Sequence, residues 1–127
     1  MSLRRLRVAV ATPDPALTAR VAGVVLQAGH DVELATGSPF DAMEAAFSRS
    51  IEVLVIDQQL QRLAGTEIAS LVRSVGAGVT VVVLHRGELA TADDLLVLDP
   101  TRPGFEAALA NVLQSATGVT APDRRAG

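Results

Sequence analysis

Residues 51–56 (IEVLVI) and 79–84 (VTVVVL) are near-continuous apolar runs dominated by β-branched side chains. Six residues are too few for a buried helix, and the lack of polar alternation means that neither face meets water. A strand inside a parallel sheet, covered by helices on both faces, meets both conditions. Residues 7–11 (RVAVA), 31–35 and 95–98 read as three further strands, which makes five.

The segments between them carry helical periodicity. Asp14-Pro15 and Ser38-Pro39 are N-cap and proline pairs, each opening a helix. Leu17, Val21, Val24 and Val25 form the apolar stripe of the first helix, which Gly29 ends. Phe40, Met43 and Phe47 share one face of the second, and Ile68, Leu71, Val72 and Val75 mark a third that stops at residues 76–78. The last begins around residues 101–103 and carries Phe105, Leu109, Val112 and Leu113. His30, just after the first helix, is expected to interact with its C-terminus. Strands alternating with helices imply right-handed crossovers and an α/β, doubly wound, flavodoxin-like sheet. Residues 1–115 form this single domain, and 116–127, without an apolar face, read as a flexible tail or the start of a linker.

Composition removes several function classes. The net charge is −3, and the 11 basic residues are scattered, so nucleic acid and anionic membrane gain no electrostatic attraction. Only Phe40, Phe47 and Phe105 are aromatic, which leaves few stacking platforms for bases or sugars. No cysteine is present, so disulfides and thiolate metal sites are excluded and a reducing cytoplasm is the expected location. The apolar patch at 8–11 is too short for a signal peptide, and no segment reaches the roughly 20 apolar residues of a membrane helix. Phosphate-binding G-x-x-x-x-G-K-[ST], dinucleotide-binding G-x-G-x-x-G after a strand, and G-x-S-x-G are all missing. The chain is expected not to be an enzyme, and no catalytic residue or cofactor is assigned.

Asp57 stands where the third strand runs out, at the carboxyl edge where such sheets place their functional crevice. With Gly65 and Glu67 opening the next helix and Pro100 following the fifth strand, the chain resembles a response-regulator receiver domain over most of its length. The resemblance makes Asp57 the counterpart of the phosphoacceptor. It also implies a Mg²⁺ held by an acidic pair and a lysine at the fifth strand, because moving a phosphoryl group onto a carboxylate requires positive charge.

Those partners are replaced. Alignment on Pro15 puts Thr12 and Pro13 at the metal-binding acids, with Asp14 surviving as a helix cap. Asp99, before Pro100, takes the lysine position, and the sequence holds no lysine at all. His85-Arg86 stands where a threonine or serine is expected after the fourth strand. The stretch 85–99 is also too short for a full fourth helix and leaves it truncated or missing.

The resulting expectation is a degenerate receiver that signals through protein contact, with a kinase, another regulator or an output domain of the same chain as partner. Apolar surface left by the short fourth helix favours a docking partner or a homodimer. Asp57 is then a structural acid, paired with Arg86 or Arg102 or capping loop amides. Two alternatives are carried: an atypical receiver still phosphorylated on Asp57, and a binder of anionic small molecules or nucleotides near Arg86 and Arg102. A close Asp57–Asp99 pair would offer a rebuilt cation site; no metal is assigned.

Overall fold

The computed structural model describes residues 5–60, 64–74, 78–87 and 96–117. Five strands, β1 (Arg7–Ala11), β2 (Asp31–Thr36), β3 (Val53–Asp57), β4 (Thr80–Leu84) and β5 (Leu96–Leu98), form one parallel sheet in the order β2-β1-β3-β4-β5. The helices are α1 (Pro15–Gln27), α2 (Pro39–Phe47), α3 (Gly65–Ser74) and α4 (Phe105–Ala116). This is the expected flavodoxin-like architecture. The expected loss of a fourth helix between β4 and β5 falls on residues 88–95, outside the described residues.

β3 is buried at every position and β4 at all but its first, as two-sided coverage requires. Alternation along the strands builds two cores. Val8, Val10, Val53, Val55, Val82 and Leu84 point to one face, where Leu17, Val21 and Val25 of α1 and Phe105, Leu109 and Leu113 of α4 cover them. Ala9, Ala11, Leu54, Ile56, Val81 and Val83 point to the other, under α2 and α3. Each fully buried valine, leucine or isoleucine contributes roughly 1.5–3 kcal/mol through removal of apolar area from water.

The caps form as expected. The Asp14 carboxylate accepts the Ala16 amide at 3.0 Å, and the Ser38 hydroxyl accepts the amides of Phe40 and Asp41. α1 ends as a Schellman turn: Gly29 takes a φ of +89°, its amide reaches Leu26 and the His30 amide reaches the Val25 carbonyl. It is therefore the backbone of His30 that satisfies the helix end. Its buried ring turns elsewhere, with Nδ1 accepting the Leu6 amide at 3.0 Å. Burial lowers the His30 pKa, the Asp31 carboxylate opposes that, and Arg5 adds to it, so the ring is a neutral acceptor and not a cation at the helix terminus.

Three expectations about helices are corrected. In α2 the inward residues are Ala42, Ala45 and Ala46; Phe40 and Phe47 are about half exposed and Met43 packs at the rim. The strand beneath presents Ala9 and Ala11, so helix and sheet meet through methyl groups and leave no room for a benzyl side chain. In α3, Leu71 lies outside the core. α4 starts at Phe105, later than expected, because Asp99 draws the chain into a turn: its carboxylate takes the Thr101 amide, and the Arg102 amide returns to the Asp99 carbonyl. Strand limits shift by one or two residues, and Val75 lies outside the described residues.

Candidate functional site

The strand ends surround a cavity of about 350 Å³ lined by Pro13, Asp14, Asp57, Gln59, His85, Arg86 and Pro100, among others. Most residues singled out around Asp57 are thus brought together, with Asp99 and Arg102 the exceptions. Asp57 ends β3, and its position is fixed by the ladder to Leu84 and by the Gln58 amide on the Leu84 carbonyl. Gly65 crosses directly behind: a Cβ there would stand 2.8 Å from the Asp57 carbonyl oxygen and 3.1 Å from Gln58 Cα. Glycine is the residue that permits this approach. Glu67 then accepts the Ala64 amide at 2.9 Å, closing half of a capping box, while Gln58 Oε1 accepts the Thr66 amide.

Each oxygen of the buried Asp57 carboxylate accepts a hydrogen bond. Thr12 Oγ1 donates to Oδ2 at 2.6 Å, and the Gln59 amide donates to Oδ1 at 2.9 Å. Thr12 is itself buried and its oxygen accepts the Asp14 amide, so the β1–α1 loop is tied to the end of β3 through one hydroxyl. Of the expected partners of Asp57, a loop amide is present, whereas neither Arg86 nor Arg102 pairs with it. Arg86 approaches Asp14 at 3.7 Å and Arg102 approaches Asp99 at 3.5 Å, each with its side chain 70% exposed. In these places the guanidinium groups keep their own hydration, whereas two neutral donors satisfy the buried Asp57 without desolvating a cation.

Asp99 faces away from this cavity. Its oxygens accept the Thr101 hydroxyl at 2.6 Å, the Gly87 amide at 2.8 Å and the Thr101 amide at 2.8 Å. These donors, the Thr101 hydroxyl foremost, pull its pKa down to about 2. It lines a neighbouring hollow with Gly87, Arg102 and Phe105. The residue at the lysine position is therefore a loop fastener, and Asp57 and Asp99 are not brought into one cation site.

The Mg²⁺ that the resemblance implies does not fit the donors present. Thr12 supplies a hydroxyl whose proton points at Asp57, Pro13 supplies no side-chain oxygen, and the two oxygens of Asp14 face the Ala16 amide and Arg86. Among the described residues no three histidine, aspartate or glutamate side chains converge. His85 is held by its amide on the Leu98 carbonyl, and its Nδ1 is buried without a hydrogen-bond partner among the described residues.

Sequence reasoning missed Gln58 and Arg20. Arg20 donates to the Pro100 carbonyl at 2.8 Å, pairs with Glu106 at 2.6 Å and lies 5.0 Å from the Phe105 ring centre. No local pattern announces either, because their partners lie 8 and 80 or more residues away.

No protein-family model matches the chain, and no curated protein matches it. Solved structures do. A DNA-binding response regulator of the LuxR family from Staphylococcus aureus superposes with a TM-score of 0.75 at 14% identity, over 88% of this chain and 98% of that one. The receiver domain of the sensor histidine kinase PA1611 from Pseudomonas aeruginosa gives 0.74 at 18%, over 91% and 99%. The anti-anti-sigma factor PhyR from Bartonella quintana gives 0.72 at 13%, over 91% of this chain and 50% of that one. At these identities what is shared is the architecture: the chain has the fold of a response-regulator receiver domain.

Proposed function

We propose that the chain is a receiver-like signalling module that acts through protein contact and does not depend on phosphorylation. The observation that carries this reading is the state of Asp57. A carboxylate that attacks phosphorus needs an oxygen free to approach it and positive charge to neutralise the transferred group. Asp57 borders the cavity, but among the described residues its oxygens are met by two neutral donors and no cation, and the positions from which charge would come hold Thr12, Pro13 and Asp99. The same bonds give Asp57 another job, holding the β1–α1 loop in one arrangement. The chain is accordingly not an enzyme, and its partner is a kinase, another regulator or an output domain. The likeness to PhyR, a protein described as an anti-anti-sigma factor, supports contact-based output.

The test is a backbone NMR titration of the labelled chain with Mg²⁺ and then beryllofluoride, a phosphoryl mimic. Unchanged amide signals at residues 57, 59 and 85 are expected. Saturable shifts there, or acetyl-phosphate labelling abolished by Asp57→Asn, would overturn the reading in favour of a phosphorylated receiver.

A further inference from the structure

Two of the three phenylalanines of this chain stand in solvent on one helix. Phe40 is 48% and Phe47 44% exposed, whereas Phe105 is buried. They are seven residues apart, which is two turns and about 10 Å along one stripe, with Met43 between them at the rim of the core. Apolar residues scattered singly on a surface carry no message, but two aligned aromatic side chains form an anchor pattern of the kind found at the centre of interfaces. Crowding explains why they are outside, since α2 meets the sheet through alanines. It does not explain why both positions are aromatic.

The charges around the stripe select its occupant. Glu44 is exposed, lies between the two rings along the helix axis and about 40° to one side of Phe40, and its carboxylate makes no hydrogen bond or ion pair among the described residues. Asp41 flanks the first turn, its carboxylate accepting the Thr36 hydroxyl at 3.1 Å. Arg49 lies just past the helix. A second copy packed antiparallel on this face would put the symmetry axis between positions 43 and 44 and bring two Glu44 carboxylates together. Such a like-charge contact opposes self-association.

We infer that the Phe40–Phe47 face of α2 docks an amphipathic helix of another protein that carries lysine or arginine between two apolar anchors. The aromatic rings meet the anchors and Glu44 meets the cation. This rests on the reading of the chain as a contact-based signalling module and names the face and the chemistry of its partner.

The test uses the full chain and two synthetic helical peptides of about 15 residues, a length at which a helix begins to hold. Both carry leucines seven apart; one has arginine between them and the other glutamate. The arginine peptide should shift the amides of residues 40–47 and bind at least tenfold more tightly than the glutamate peptide. Phe40→Ser/Phe47→Ser should weaken it at least tenfold, and Glu44→Arg should reverse the charge preference. Should the double variant lose its fold, Glu44→Arg decides alone, since it alters a single exposed side chain. Absence of binding, shifts confined to other elements, an unreversed preference, or self-association lost with the two phenylalanines would each overturn the proposal. A chain that takes the peptide on α2 and also phosphate on Asp57 removes the phosphorylation-independent reading and leaves this one standing.

Discussion

The two ends of the sheet handle their carboxylates in opposite ways. At the amino ends, Asp31 and Glu52 are met by arginines: Arg5 grips Asp31 through two nitrogens, and Arg7 reaches both oxygens of Glu52. At the carboxyl ends, Asp57 and Asp99 are met chiefly by hydroxyls and backbone amides. The first solution is tolerant, because an exposed ion pair is hydrated and screened and gains little from exact geometry. The second is demanding, because a buried acceptor that loses its donor finds no replacement. Open α/β sheets of this kind place their crevice at the carboxyl end, and here the loops at that end are tied to one another through Asp57 and Asp99.

Substitutions ought to separate the ends, and the largest effect is expected beside Asp57. Gly65→Ala drives a methyl group into the Asp57 carbonyl, where backbone must move; a loss of about 3 kcal/mol, the upper range of over-packing, is expected in urea unfolding. A wild-type midpoint would show that the β3–α3 crossing yields. Next, Thr12→Val keeps the shape but removes the donor to a buried carboxylate, at a cost of about 2 kcal/mol. If that variant were neutral, the two ends would be energetically alike.

His30 sharpens the comparison from the amino end, where it is the buried exception. Its folded pKa lies below the ordinary 6.5, so the unfolded chain binds more protons in the window beneath 6.5, and stability falls as pH drops through it. Unfolding at pH 7 and at pH 5.5 should show this loss in wild type and a smaller one in His30→Gln. Equal slopes would place the ring in water. The smallest effect belongs to the exposed pair: Arg5→Ala should leave the melting temperature nearly unchanged at physiological salt.

What the sequence reveals follows the same division between tolerant and demanding contacts. β3 and β4 are legible because two-sided burial leaves only one pattern, and α1 and α2 because aspartate or serine before proline has a single local meaning. The inward face of α2 is not legible. Phenylalanine dominates any reading of hydrophobic periodicity, while alanine contributes little, and only the alanines of the neighbouring strand reveal which face fits. At the pocket, alignment on Pro15 singles out Thr12 and Asp57 separately. The bond between them spans 45 residues and leaves no local trace. Arg86 and Arg102 were natural partners for Asp57 by charge alone, yet a long side chain reaches several acids, and burial decides which one it can serve.

Arg20 gives the fold a further property. One guanidinium bridges the middle of α1, the carbonyl that follows β5 and the first turn of α4, with the Phe105 ring beneath it. These three segments are therefore clamped as one lever. Pro100 at the pocket wall thus shares one guanidinium with the two helices that cover the same face of the sheet, a link that does not pass through Asp57.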